Sequence, residues 1–137
     1  MTVTKTDIQI RFADVDILGH VNNVNLQHYF DLGKSEFFRT LLGGFVQRGV
    51  GEELITASTA TDYLAQVRLD DQIYAETRLE RIGNKSFTLL QRIVNSATAV
   101  VCAESRTVMV AFDFTAQRSI AIPVAWRLAL EEAMGEL

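Results

Sequence analysis

Between Asn23 and Leu42, the residues Leu26, Phe30, Gly33, Phe37 and Leu41 recur at steps of three and four, so one helical face carries an apolar stripe with a glycine in its middle. A glycine inside a helix costs about 1 kcal/mol relative to alanine. Close approach of that face to a flat surface would offset the cost, and the flat surface expected is a sheet. Asn22, Asn23 or Asn25 can cap the start of the helix, and Gly43-Gly44 makes a stop.

The rest of the chain reads mostly as strand. DIQIRF alternates, with Ile8, Ile10 and Phe12 on one face. After the helix come ELITASTATDYLAQV, DQIYAETRLERI, KSFTLLQRIVN and TAVVCAESRTVMVAFDF, all rich in β-branched and aromatic residues. The breaks LDDQ, IGNK and NSAT are too short for parallel crossovers, so an antiparallel meander is expected. Pro123 then opens VAWRLALEEAMGEL, a short helix with Trp126, Leu130 and Met134 on one side. The expectation is one α+β domain over residues 1–137: a five-stranded antiparallel sheet wrapped around one long helix, with a short C-terminal helix. Such a single layer leaves edges and a face to cover, which argues for a homodimer or homotetramer.

Composition excludes several classes. The 137 residues are 48% hydrophobic and 22% charged, the balance of a globular chain. Thirteen Lys and Arg against 17 Asp and Glu leave a net charge of -4 with no basic block, so neither nucleic acid nor an anionic membrane is an expected partner. Any anionic ligand must be held by a few local groups. The single cysteine, Cys102, sits in the apolar run AVVCA and reads as a small buried side chain. MTVTKTD lacks the apolar core of a signal peptide, and no 18-residue apolar stretch follows, so a cytoplasmic location is expected. His20 and His28 stand eight apart without H-E-x-x-H or cysteine pairs, so no metal is expected. No G-x-S-x-G elbow and no Gly-rich phosphate loop is present.

Polar residues concentrate in DVDILGHVNN, directly before the helix. A helix start offers N–H groups without helical partners and a partial positive charge, and a nearby aspartate is ionised at neutral pH. With its surroundings this stretch resembles the hotdog-fold acyl-CoA thioesterases of the 4-hydroxybenzoyl-CoA thioesterase type. Arg11, Phe12, Asp14, Asp16, Gly19, His20, Val21, Asn22 and Asn23 fill the family pattern. Tyr29-Phe30-Asp31, RIGNKSF, VMVAFD and IPVAWRLAL extend the similarity over nearly the whole chain. It departs at Leu26, where many relatives have an aromatic, and at Lys34, where many have arginine; both positions help shape the acyl end or its surroundings.

The resemblance implies a hotdog fold and hydrolysis of an acyl-CoA thioester, with coenzyme A part of the substrate and no separate cofactor. It makes Asp16 either a general base acting on water or a nucleophile forming a mixed anhydride. It aims the backbone N–H of Asn23 at the thioester oxygen. Read from residue type alone, Asp16 is a turn residue bonding its own backbone. Asp14 braces the loop. His20 bonds substrate or Asp16, or closes the loop against the helix. Asn22 is a cap or brace beside the substrate. Tyr29 lines the acyl pocket, or packs in the core with its hydroxyl reaching water. Gly83, Asn84 and Lys85 offer a tight turn with free N–H groups and a point charge, which the resemblance places near the nucleotide end, or they are simply an ordinary hairpin turn. Hotdog hydratases share the fold, but the Asp16-to-His20 spacing does not match theirs. The rival outside enzymes is a non-catalytic hotdog module that binds acyl or aryl thioesters.

Overall fold

The computed structural model describes residues 1–42 and 52–135. The expected Gly43-Gly44 stop lies outside them. In chain order the elements are β1 (Val3–Ile8), a 3-10 turn (Phe12–Asp14), α1 (Asn23–Leu42), β2 (Glu52–Tyr63), β3 (Ile73–Ile82), β4 (Ser86–Asn95), β5 (Val101–Asp113), β6 (Arg118–Ser119) and α2 (Val124–Met134). The strands form one antiparallel sheet in the order β1-β3-β4-β5-β2, with the two-residue β6 beside β5.

Turn chemistry sets this topology. The Asp71 carboxylate accepts the Arg68 N–H at 2.8 Å, tightening the turn before β3. The Asn95 side-chain oxygen accepts the N–H groups of Ala97 and Thr98 at 3.0 and 3.3 Å, closing the β4–β5 turn. Links this short return the chain antiparallel from β3 to β4 and from β4 to β5. The link from β2 to β3 does not: β2 pairs with β5 at the end of the strand order while β3 lies between β1 and β4, so the expected meander holds for β3 to β5 alone.

Alternation then gives the sheet an inner face. Ile73, Ala75, Thr77 and Leu79 of β3 and Phe87, Leu89, Gln91 and Ile93 of β4 are buried. Leu26, Phe30 and Phe37 of α1 pack onto them. The glycine in the apolar stripe explains itself here. A Cβ on Gly33 would sit 2.8 Å from the Ala75 Cβ, 3.2 Å from the Thr77 hydroxyl and 3.3 Å from the Gln91 amide nitrogen. That same Gln91 nitrogen donates to the Phe30 carbonyl at 2.8 Å and to the Thr77 hydroxyl at 2.9 Å. The helix is therefore pinned to the sheet by a buried polar contact as well as by apolar packing. This sheet around a central helix is the hotdog arrangement.

The core divides along the helix. The N-terminal half of α1 packs with Ile8, Val67, Ile73 and Ala103, and the C-terminal half with Leu79, Phe87, Met109 and Ile122. Leu130 and Ala133 of α2 join the second group, with Trp126 and Met134 against it, as the spacing in VAWRLALEEAM implies. Gly135 ends α2 in the left-handed conformation, φ +80.

The strands differ from the sequence reading in three places: the second ends at Tyr63 rather than Val67, the two-residue β6 is added to the five expected, and the first begins earlier. The first strand is Val3–Ile8 rather than DIQIRF, pairing from Val3↔Arg78 to Ile8↔Ile73. Phe12 is 85% exposed. The Arg11 N–H binds the Asp14 carboxylate at 3.1 Å and turns the chain into the 3-10 segment before Phe12 can continue the strand. At the other side of the sheet, β2 ends the strand order, and one of its edges has no strand partner among the described residues.

Candidate functional site

Residues 14–22 form a tight loop fastened at both ends. Val15 and Val21 make an isolated antiparallel bridge. At its tip the Asp16 N–H donates to the His20 carbonyl at 2.9 Å, and the Gly19 N–H to the Asp16 carbonyl at 3.0 Å. Gly19 adopts φ +83, which other residues reach only with strain. The Leu18 N–H donates to Asp16 Oδ1 at 2.9 Å. This is the turn bond expected from residue type, and it fixes the carboxylate. Among the described residues no donor meets Asp16 Oδ2 and no partner meets the His20 ring.

Beneath the tip lies a buried anion. Asp14 is 1% exposed. Its Oδ2 accepts the Tyr29 hydroxyl at 2.6 Å and the Arg11 N–H at 3.1 Å, and its Oδ1 the Arg11 guanidinium at 3.1 Å. Its carbonyl accepts the Asn22 N–H at 3.3 Å and the Asn25 side-chain amide at 3.2 Å. The Tyr29 hydroxyl, followed by the Arg11 groups, holds the Asp14 carboxyl below its usual range, although burial pushes the other way. Burial, then the Asp14 charge, keeps the Tyr29 phenol protonated well above the usual tyrosine range. The pair ties the loop to the first turns of α1.

The helix start is capped by Asn22. Its side-chain oxygen accepts the Asn25 N–H at 2.9 Å, and its carbonyl accepts the Leu26 N–H at 3.0 Å. With the Asn22 N–H already on Asp14, the Asn23 and Val24 N–H groups have no acceptor among the described residues. Both residues line a cleft of about 490 Å³ together with Asp16, His20 and Asn22. The opposite wall is Tyr63 at the end of β2 and the segment 64–67 that follows, brought there by the Val21 N–H donating to the Val67 carbonyl at 2.8 Å. The cleft thus joins a carboxylate to two unpaired N–H groups at the positive end of a 20-residue helix.

The sequence model of the thioesterase-like superfamily matches residues 10–133. The chain belongs to that family. It is 24% identical over 120 residues to the acyl-CoA thioesterase YbgC of Haemophilus influenzae, covering 85% of each chain. It is similar to the structure of "a predicted thioesterase" from Bacillus stearothermophilus, with a TM-score of 0.85, 30% identity and 96% of each chain covered. A thioesterase of Thermus thermophilus complexed with coenzyme A and zinc shares the fold, with a TM-score of 0.83 at 24% identity over 96% of this chain and 93% of that one.

Within this thioesterase-family chain, the residues singled out from sequence fall into three places. Asp16, His20, Asn22 and Asn23 come together in the cleft. Tyr29 lies beside them in the core, 6% exposed, with its hydroxyl on Asp14 rather than on water or in the cleft. Gly83, Asn84 and Lys85 lie at the other end of the sheet, beyond Ile82 and before Phe87, past the C-terminal half of α1. A helix of this length puts roughly 30 Å between the two ends. His28 is exposed, with its Nδ1 3.2 Å from the Asn25 side-chain oxygen. Cys102 is buried, and burial pushes its thiol pKa up, away from nucleophilic duty. Sequence reasoning missed the Val24 N–H, which the choice of Asn22 as cap would have exposed. It read residues 64–67 as the end of the second strand, whereas β2 stops at Tyr63 and the Val21–Val67 backbone bond makes the segment a wall of the cleft. Among the described residues no helix is long and apolar enough to cross a membrane.

Proposed function

We propose that this chain hydrolyses an acyl-CoA thioester in the cleft between Asp16 and the start of α1. The observation that carries the reading is that Asn23 and Val24, whose N–H groups have no acceptor among the described residues, line the same cleft as Asp16. Attack on a thioester places negative charge on the carbonyl oxygen. Backbone donors fixed at a helix start stabilise that charge without reorganising, and losing one such donor typically costs about 10²–10³ in rate. Asp16 supplies the other half. Its Oδ1 is anchored by Leu18. Oδ2 either takes a proton from water, whose hydroxide adds to the carbonyl carbon, or attacks that carbon itself to give an anhydride that water then opens; in both routes the C–S bond breaks and coenzyme A leaves as the thiolate, which takes up a proton. His20 and the Asn23 side chain, both on the cleft wall, bond the substrate or the attacking water.

Coenzyme A would reach the cleft from a second copy of the chain. The hairpin of Gly83, Asn84 and Lys85 lies too far along the same chain to serve its own Asp16. A two-fold axis pairing the open β2 edges antiparallel would set the hairpin end of one chain toward the helix-start end of the other. The site is then shared, and the working unit is a homodimer or a homotetramer built from it.

The competing reading is a non-catalytic module that binds thioesters. One observation favours it: Asp16 Oδ1 is spent on the Leu18 N–H, as in a purely structural turn. Release of free thiol from a panel of acyl-CoAs separates the two. Wild type is expected to cleave at least one, and Asp16→Asn to lose at least two orders of magnitude in kcat, the scale of an essential acid-base group or nucleophile. Equal rates for the two proteins on the best substrate would remove Asp16 from the chemistry. Tight binding with no cleavage would establish the module.

A further inference from the structure

The three carbonyls at the tip of the β3–β4 hairpin are all bonded inward. The Gly83 carbonyl accepts the Arg127 guanidinium at 2.7 Å. The Asn84 carbonyl accepts the same nitrogen at 3.1 Å and the Ile122 N–H at 3.0 Å. The Lys85 carbonyl accepts the Ala111 N–H at 3.0 Å. The Gly83 N–H closes the turn onto the Ser86 carbonyl at 2.7 Å. What remains are the Asn84 and Lys85 N–H groups, which have no acceptor among the described residues, beside the exposed Lys85 side chain. Two adjacent free N–H groups with an ammonium nearby make a concavity for an anion, provided no carbonyl oxygen shares the space.

We propose that Arg127 is a positioning residue for the phosphates of coenzyme A: from the first turn of α2 it holds the hairpin carbonyls away from the anion, so that the Asn84 and Lys85 N–H groups face it. This inference rests on the acyl-CoA reading above and adds a residue to it. The physical need is clear in a chain of net charge -4, where a phosphate must be held by few groups. An unrestrained tip can turn a carbonyl dipole toward the phosphate, repelling it. One guanidinium nitrogen prevents that rotation at the Gly83 carbonyl, whose peptide unit carries the Asn84 N–H, and shares with the Ile122 N–H the Asn84 carbonyl, whose peptide unit carries the Lys85 N–H. Arg127 is itself steadied from Glu131, one helical turn on, at 3.9 Å.

The test compares one acyl group on two carriers, coenzyme A and N-acetylcysteamine, which lacks the nucleotide. Arg127→Met is expected to raise KM for the acyl-CoA roughly tenfold, the worth of one N–H bond to the phosphate that the turned peptide no longer makes, with kcat within about twofold of wild type. The N-acetylcysteamine thioester should be cleaved as by wild type. Lys85→Met, a surface change that leaves α2 intact, should give the same selective rise. Calorimetric titration with free coenzyme A reads the same step without turnover. An Arg127→Met protein with wild-type KM for acyl-CoA, or with equal losses on both carriers, overturns the proposal while leaving the thioesterase reading intact. Wild type that neither cleaves acyl-CoA nor binds coenzyme A overturns the functional reading, and this inference with it.

Discussion

Replacing Tyr29 by phenylalanine removes one hydroxyl and leaves the ring in place, so it isolates the buried bond to Asp14. That bond is 2.6 Å long, and its acceptor is 1% exposed. A hydrogen bond to a charged acceptor contributes about 1.5–3 kcal/mol. In a chain of this size that should lower Tm by roughly 6–12 °C. Urea unfolding should be measured at one fixed protomer concentration, since assembly would shift apparent stability. In an Asp14→Asn background the same Tyr29→Phe change should cost less by about 1 kcal/mol or more, because the charge it serves is gone. The pH dependence has a definite sign. Asp14 has its folded pKa below the unfolded value of about 3.9, so its contribution is complete above that value and fades as pH falls through the folded one. Tyr29 has its folded pKa above the unfolded value of about 10, so its contribution is complete below that value and is lost as pH rises through the folded one. The stability gap between wild type and Tyr29→Phe should therefore hold steady from about pH 5 to about pH 9 and narrow in acid. An equal cost in both backgrounds, or a gap that stays constant down to about pH 2, would refute the argument.

Gly33→Ala should destabilise the fold despite a gain of about 1 kcal/mol in helix propensity, because the new Cβ meets the Ala75 Cβ at 2.8 Å and overpacking of this kind costs about 1–3 kcal/mol. A variant that melts at or above the wild-type temperature would show that the helix can lift off the sheet at little cost. Light scattering should give a particle at least twice the 15.3 kDa chain mass. A stable monomer at assay concentration would contradict a site shared between chains.

Much of the fold is local in origin, which is why it could be read in advance. The helix from Asn23 to Leu42 follows from spacing alone, and the glycine in its stripe announced the contact with Ala75 and Gln91. The long strands and their antiparallel links follow from alternation and from short turns such as the one closed by Asn95. The first strand is hard to place because Val3–Ile8 carries threonine and lysine between its few apolar residues, while IRF mimics an alternating end. At the site, the brace role of Asp14 was legible, but its partner was not. Tyr29 lies 15 residues away, and only the docking of the loop on α1 turns its hydroxyl toward the carboxylate rather than toward water. Residues 64–67 look like a continuation of the second strand, and only the long-range Val21–Val67 bond makes them a wall of the cleft. Asn22, Asn23 and Asn25 all satisfy capping chemistry, and only the folded chain shows that Asn22 does the capping, leaving two N–H groups free.

A crystal structure of Asp16→Asn trapped with an uncleaved acyl-CoA examines that arrangement directly. The thioester oxygen should lie about 2.7–3.1 Å from the backbone nitrogen of Asn23 or Val24, with residue 16 on the side of the carbonyl carbon and the nucleotide against a second chain's hairpin. A thioester bound with its carbonyl turned away from the start of α1, or held outside this cleft, would contradict the account.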